Sequence, residues 1–242
     1  MVGVLPYLRL VRFLLPLVVT MVVAGVMPQF LAGGMARGPR PTETLAAFAL
    51  ALGIVEFLAS PLSQVRQLGL VLVSHGHQAR QVLNFVVACG TLLAATVAVL
   101  ALTPAGIFVV DDLHHASPDL ARVVGDALLL LIPYPLLEGM QRYASGLLMR
   151  VRRTEIVSAA MLCGIGASLL TVLAAVPARW VQQTPIYLPL LVTYVGVVTN
   201  LLVLGVGLWR YVHPRLRDGS LVDGDRTDLG FLYLVRFFWP LA

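Results

Sequence analysis

The chain has 242 residues, of which 59% are hydrophobic and 12% are charged, and its formal net charge is +5. A soluble domain carries about 25% charged residues, so this chain has too little polar surface to form a water-soluble globule. It is therefore an integral membrane protein, and apolar runs of about 20 residues predict helices rather than a barrel. Its positive charge is typical of cytoplasmic loops, so no nucleic acid partner is expected.

The apolar runs predict an all-α, polytopic membrane protein with a six-helix transmembrane bundle and the start of a seventh helix. The predicted spans cover residues 10–32, 45–73, 82–103, 121–149, 155–176 and 186–210, with a seventh starting near 230. This pattern divides the chain into a first bundle at 1–210, a cytoplasmic inter-repeat linker at 211–229, and the truncated start of a second repeat at 230–242.

The two ends of this series carry the same short motif. Residues 10–17 and 234–241 share six of eight positions, in the pattern Leu-Val-Arg-Phe-x-x-Pro-Leu. Repeated helical bundles are typical of secondary transporters. The motif therefore predicts half of a two-bundle protein, whose missing partner is a second bundle or a second copy of the chain. The alternative is that the motif recurs by chance at two helix starts.

The arginines predict the orientation in the membrane. Ten of them fall on the N-terminal side of the predicted spans and four on the other side. By the positive-inside rule, the N-terminus is cytoplasmic and the chain is a multi-pass protein of the cell membrane. Arg12, at the start of the first span, is either a cytoplasmic anchor or, together with Arg236, one of two cations that flank a central cavity.

The second predicted span contains Glu56, Pro61 and Arg66. A charge at mid-membrane costs at least about 2.5–3.5 kcal/mol, so each charged side chain there needs a partner or a function. Glu56 is a candidate for proton coupling, or else it pairs with an arginine of a neighbouring helix. Arg66 either binds an anion or lies near the cytoplasmic end of its helix.

The fourth predicted span begins its second half with Pro133-Tyr134-Pro135. Two prolines remove backbone donors, so we expect a kink or a break there. Glu138 and Arg142 are four residues apart on the same helix face as Tyr134 and can pair. This face either lines a polar cavity beside a flexible helix or carries an ion pair that locks two helices together.

The remaining polar residues give weaker indications. Asn200, in the sixth span, either forms hydrogen bonds between helices or lines a cavity. His114 and His115 have no third ligand at a diagnostic spacing, so no metal site is expected. The sequence contains no nucleotide-binding loop and no catalytic triad motif, so no cofactor and no enzymatic activity are expected.

Seven short motifs occur in an order and at spacings that together identify a family. They are Arg12-Phe13-x-x-Pro16-Leu17, Ser60-Pro61-Leu62-Ser63, Gly69-Leu70-Val71-Leu72-Val73, Leu113-His114-His115, Tyr134-Pro135-Leu136-Leu137-Glu138, Leu188-Pro189-Leu190-Leu191 and Arg236-Phe237-Phe238-Trp239-Pro240-Leu241. In these motifs the chain resembles the progressive ankylosis proteins, members of the multidrug/oligosaccharidyl-lipid/polysaccharide exporter superfamily. The resemblance covers nearly the whole chain and about the first half of a family member.

The resemblance implies a twelve-helix transporter made of two six-helix bundles around a central cavity. It also implies export of inorganic pyrophosphate, or of nucleotide or citrate-like anions, and it matches Glu138 to an acidic position of the family. We therefore expect substrate-binding roles for Arg12, Arg66, Arg142 and Asn200, and coupling roles for Glu56 and Glu138. The alternatives are a lipid-linked oligosaccharide flippase, a cation drug exporter, or a non-transporting half-bundle that needs a partner.

Overall fold

The protein is all-helical over residues 25–103, 106, 117–217 and 229–238, which are the residues that the computed structural model describes. Four long helices are candidate membrane spans, and two further helices form a pair joined at a bend. The helices are α1 (25–35), α2 (Pro41–Leu72), α3 (Gly76–Leu102), α4 (Pro118–Leu131), α5 (Tyr134–Arg150), α6 (Thr154–Ala175), α7 (Arg179–Gln183), α8 (Tyr187–Arg217) and α9 (Phe231–Phe238).

The helix starts follow from local sequence. Helix α2 begins with Pro41, whose fixed backbone angle and missing N–H suit the first helical position. Before α3, the Gln78 side-chain oxygen accepts hydrogen bonds from the backbone N–H groups of Ser74 (2.8 Å) and His75 (3.2 Å). Before α4, the Ser117 hydroxyl accepts from the Leu120 N–H at 3.4 Å. Each contact satisfies backbone groups that a helix start leaves without an intrahelical partner.

Helices α2, α3, α6 and α8 are each long and apolar enough to cross a membrane, which confirms a multi-pass membrane protein. They coincide with the predicted second, third, fifth and sixth spans. Helix α3 starts six residues earlier than predicted, because the Gln78 cap begins it at Gly76. Helix α8 continues to Arg217, so its last residues occupy the start of the range predicted as a linker. Residues 218–228 of that range lie outside the described part of the chain.

The predicted fourth span is a pair of helices, α4 and α5, that meet at a bend of 44°. The bend lies at Pro133, as its missing N–H predicts. Pro61 has a milder effect: the segment Ser60–Gln64 tightens into a 3₁₀ helix, and α2 continues through it as one span. If the bent pair is one span, the described residues contain five spans.

The first and seventh predicted spans are described only in part. The first is helical over 25–35, and its residues 10–24 lie outside the described ranges. The seventh forms α9, and residues 239–242 lie outside as well. The total of six spans and the start of a seventh therefore stays a prediction.

The buried apolar side chains form two cores, one at each end of the bundle. Core A includes Phe48, Val55, Leu131, Tyr134 and Leu188. Core B includes Ala59, Phe85, Tyr143, Leu148 and Leu204.

Polar side chains are located where the helices pass from one core to the other. Helix α2 leaves core A after Val55 and enters core B at Ala59, and α5 makes the same passage between Tyr134 and Tyr143. The polar residues within these passages, and within the corresponding passage of α8, include Glu56, Glu138, Arg142 and Asn200. We call this level of the bundle the boundary layer.

Glycines bring α2 and α5 into backbone contact below the boundary layer. A Cβ atom added at Gly69 would lie 3.0 Å from the Tyr143 carbonyl oxygen and 3.2 Å from the Leu147 nitrogen. A Cβ atom added at Gly146 would overlap the carbonyl oxygen of Arg66. Small residues permit this kind of close helix approach in membranes. The crossing fixes the position of Arg66 relative to α5.

We expect Gly146→Ala to destabilise the protein, because the added methyl group overlaps the Arg66 backbone. Overpacking of this kind costs about 1–3 kcal/mol. The matched control is Gly166→Ala in α6, where an added Cβ has no neighbouring atom within 4 Å and alanine favours the helix. Thermal unfolding in detergent, read by size-exclusion chromatography, compares the two variants. A Gly146→Ala protein that unfolds at or above the parent's temperature would contradict the close crossing.

Candidate functional site

Helix α5 carries an ion pair in the boundary layer. The Arg142 Nη2 group donates to Glu138 Oε1 at 2.8 Å, and the Arg142 Nε group donates to the same oxygen at 3.3 Å. The Glu138 side chain is 17% exposed and that of Arg142 is 32% exposed. The i,i+4 spacing predicted this pair, because residues four apart lie on one helix face.

Helix α2 adds an acid and a base to this pair. Glu56 lies within electrostatic range of Glu138 and Arg142, and Arg66 lies within range of Arg142. Tyr134, which is buried at the start of α5, is also within range of both carboxylates. We call Glu56, Arg66, Tyr134, Glu138 and Arg142 the α2–α5 polar cluster. Its formal charges are two negative and two positive, so it is neutral overall.

The two α2 members of the cluster have no salt-bridge partner within 4 Å among the described residues. The Nε atom of Arg66 is buried and has no hydrogen-bond partner in that part of the chain. An unsatisfied buried donor on a charged group is costly, more so than the 1–3 kcal/mol typical of a neutral group. Arg66 is therefore a cation that an incoming anion would stabilise.

Glu56 is exposed on the surface of the bundle, although it lies halfway along the 32-residue span α2. A carboxylate facing hydrocarbon at this level would cost about 2.5–3.5 kcal/mol on insertion scales. This face of the bundle therefore has to line a water-filled cavity or contact further protein. Among the described residues Glu56 has no salt bridge within 4 Å, and Arg142 bonds Glu138.

Asn200 lies at a different place in the boundary layer. It lines a cavity of about 180 Å³ between α5, α6 and α8, together with Gln141, Ser168 and Thr193. The Asn200 Oδ1 atom is buried without a hydrogen-bond partner among the described residues. The predicted alternative of a hydrogen bond between helices is therefore not observed for this oxygen among the described residues, and Asn200 lies at a small, mainly apolar cavity next to the cluster.

Two further arginines were candidates from the sequence. Arg12 lies outside the described residues. Arg236 is in α9, where its side chain is exposed. Helix α9 itself is held against α3: the Leu229 N–H donates to Gln81 Oε1 at 3.1 Å, and the rings of Phe85 and Phe238 meet edge to face at 5.6 Å.

Arg150 has a role that the sequence did not indicate. Its guanidinium donates to the carbonyl oxygens of Leu70 and Val71 and, at 2.7 Å, to the hydroxyl of Ser74. These carbonyls belong to the last turn of α2, which the helix itself leaves without partners. The sequence predicted Arg150 only as a loop arginine. The sequence signal for this role was the preference of arginine for helix C-termini, but this preference does not tell which helix end the arginine binds.

Within residues 25–103, 117–217 and 229–238, no three His, Cys, Asp or Glu side chains come together as a metal site. His114 and His115 lie outside these ranges. The two cysteines, Cys89 and Cys163, are free thiols.

The sequence family described as Progressive ankylosis protein (ANKH) matches residues 1–242. No solved structure matches the chain.

We expect Arg150→Ala to loosen the end of α2, because its carbonyl oxygens lose their charged donor. Hydrogen bonds to charged groups contribute about 1.5–3 kcal/mol. Hydrogen exchange measured by mass spectrometry should be faster in the peptide covering 68–74 than in the parent. The control is Arg80→Ala, which removes a guanidinium at the same end of the bundle. Unchanged exchange at 68–74 in Arg150→Ala would show that these hydrogen bonds do not hold the helix end.

Proposed function

This chain belongs to the progressive ankylosis protein family, and we propose that it forms part of a membrane secondary transporter that exports small polyanions by alternating access. The substrate that we propose first is inorganic pyrophosphate or a related phosphate compound. The α2–α5 polar cluster carries the proposal, because it combines a cation without a salt-bridge partner in the described part of the chain, a salt bridge that can open, and an exposed carboxylate inside membrane-spanning helices. We propose no enzymatic activity for the chain.

Arg66 and Arg142 are the proposed anion-binding residues. Arg66 is free to donate hydrogen bonds to a phosphate oxygen, since no carboxylate within salt-bridge distance neutralises it among the described residues. A planar guanidinium matches the geometry of phosphate well. A bound polyanion would compete with Glu138 for Arg142, whose Nη2 group donates to Glu138 Oε1 at 2.8 Å. Arg12 and Asn200 are assigned supporting contacts with the same substrate.

Glu56 and Glu138 are the proposed coupling residues. When Glu138 is released from Arg142 by a substrate, it becomes an unpaired carboxylate near Glu56. Two carboxylates in one site disfavour each other's charge, so one of them can take up a proton. Substrate binding and protonation would then favour each other, which is the requirement for coupling.

The bend between α4 and α5 supports alternating access. Pro133 separates a segment packed in core A from one packed in core B, so each can tilt without breaking a continuous helix. The α2–α5 polar cluster lies next to this bend. Tilting of α5 would move Glu138 and Arg142 relative to Arg66 and so change the access to the anion site.

The proposed orientation places the N-terminus and the core B end in the cytoplasm. Arg80, Arg152, Arg153, Arg215 and Arg217 lie at the core B end, and Arg37, Arg40, Arg122 and Arg179 lie at the core A end. Arginine excess supports a cytoplasmic position for the former. The exposed Glu56 supports a partner on the α2 face, which we propose to be a second six-helix bundle or a second copy of the chain.

We expect Arg142→Gln and Arg66→Gln to lower pyrophosphate efflux by at least about tenfold, because truncating a buried charged contact costs about 2–5 kcal/mol. Efflux is measured with the full-length protein in proteoliposomes.

The Glu138→Gln/Arg142→Gln double variant removes both charges of the pair, so that neither is left unpaired. It should be more stable than Arg142→Gln, but its pyrophosphate efflux should stay low. Arg122→Gln, at the core A end, should behave as the parent does. Efflux at the parental rate in Arg142→Gln or Arg66→Gln would remove that residue from the anion site.

We expect Glu56→Gln to uncouple transport from protons. In proteoliposomes with an imposed pH gradient, the variant should move pyrophosphate at a rate that no longer depends on the gradient. Its efflux without a gradient should stay within about twofold of the parent's, since Glu56 makes no salt bridge within 4 Å in the described residues. Glu43→Gln, an exposed acid of the same helix, is the control. A full response to the gradient in Glu56→Gln would assign coupling to another group.

A further inference from the structure

An apolar groove follows the outer surface of α6 and α8 towards the core B end. It has a volume of about 650 Å³ and is lined by Ile156 and Ala159 of α6 and by Leu202, Val206 and Gly207 of α8. Leu202 and Val206 are 66% and 65% exposed, and they lie one helical turn apart. Over the stretch from residue 202 to residue 211 the groove is about 14 Å long, at 1.5 Å per helical residue.

Gly207 makes the groove possible. A Cβ atom at this position would lie 2.8 Å from the Ile156 side chain and 3.3 Å from that of Leu148. The absence of a side chain lets α8 approach α6 at the floor of the groove and leaves its walls to larger apolar residues. The walls are therefore mainly apolar, with Glu155, Arg210 and Tyr211 at one end, and the groove lies on membrane-spanning segments.

The end of the groove is positively charged. The Arg153 guanidinium lies 4.4 Å from the centre of the Tyr211 ring, and that of Arg210 lies 5.9 Å from the same centre. Arg153 is partly neutralised by Glu155, at 3.1 Å. Arg210 has no carboxylate within 4 Å in the described part of the chain. Counted over the described residues, these two cations and the one acid beside Arg153 give the mouth a net charge of +1.

We propose that this groove binds an anionic phospholipid of the leaflet at the core B end. The phosphate of the headgroup would lie between Arg210 and Arg153, and one acyl chain would lie along Leu202 and Val206. Basic pockets between transmembrane helices are suited to anionic headgroups. A free phosphate compound fits the mouth but leaves the apolar groove unfilled, and a neutral lipid fits the groove but leaves Arg210 without a counter-charge.

Lipid binding at this site is separate from the transport of the proposed substrate. The α2–α5 polar cluster is carried by other helices, and the groove residues belong to α6 and α8. An anionic lipid here would bind these two helices at the same end of the bundle at which Arg150 donates hydrogen bonds to α2. The groove would then be an intramembrane lipid site that stabilises the core B half of the bundle.

The test is native mass spectrometry of the full-length protein in detergent, titrated with phosphatidylglycerol or with phosphatidylcholine of the same acyl chains. The unaltered protein should retain phosphatidylglycerol at least about tenfold more tightly. Arg210→Gln should weaken its retention about fivefold, as expected for one lost arginine contact. Arg122→Gln, which removes one positive charge at the opposite end, should leave retention unchanged.

A second variant tests the groove without changing any charge. Val206→Trp fills the apolar channel and should weaken retention of phosphatidylglycerol, whereas Leu170→Trp, on an exposed part of α6 outside the groove, should not. Equal retention of the two lipids by the unaltered protein would overturn the proposal. So would parental retention in Val206→Trp, or displacement of the lipid by millimolar inorganic pyrophosphate, which would identify a soluble anion as the occupant.

Discussion

The backbone contact between α2 and α5 is the constraint from which the rest of the site follows. Gly146 lies against the carbonyl of Arg66, and Gly69 lies against the backbone of Tyr143 and Leu147 in the same turn of α5. Any larger side chain at these positions would separate the helices. The contact therefore sets the distance at which Arg66 acts on Arg142, and it makes the position of one cation depend on the packing of two helices. A polar cluster built on such a contact moves only when the helices move.

The α2–α5 polar cluster also explains why the bundle has two cores rather than one. Apolar packing cannot continue through a level that contains Glu56, Glu138 and Arg142, because burying a charge without a partner is far more costly than exposing it. The pair on α5 is neutral as a unit and can stay close to the core. Arg66 and Glu56 are not paired within salt-bridge distance in the described residues. The stability of this level is therefore lower than a fully apolar core would give, which is the usual condition of a site that binds ligands.

Local rules predicted what depends on one helix alone. The Glu138–Arg142 pair follows from a spacing of four, and the bend at Pro133 follows from the missing N–H. Four of the spans follow from their apolar length. Contacts between two helices could not be predicted. They include the hydrogen bonds from Arg150 to the end of α2, and the position of Asn200 in a cavity beside Gln141. A single sequence states which residues are polar, but it does not state which helices are neighbours.

The two ends of the bundle are held together differently, and this difference has a physical consequence. At the core B end, Tyr143 donates to the Ala79 carbonyl at 2.6 Å and Arg150 binds the last turn of α2, so hydrogen bonds join three helices. At the core A end, Tyr194 donates at 2.6 Å to the carbonyl of Leu130, close to the bend, where the regular helix is interrupted. Leu130 is in the last turn of α4, where carbonyl oxygens lack a partner within the helix, so this side-chain contact supplies one donor there and costs less to break than a helical ladder. Tilting is therefore easiest on the core A side, while hydrogen bonds at the core B side hold α2, α3 and α5 together.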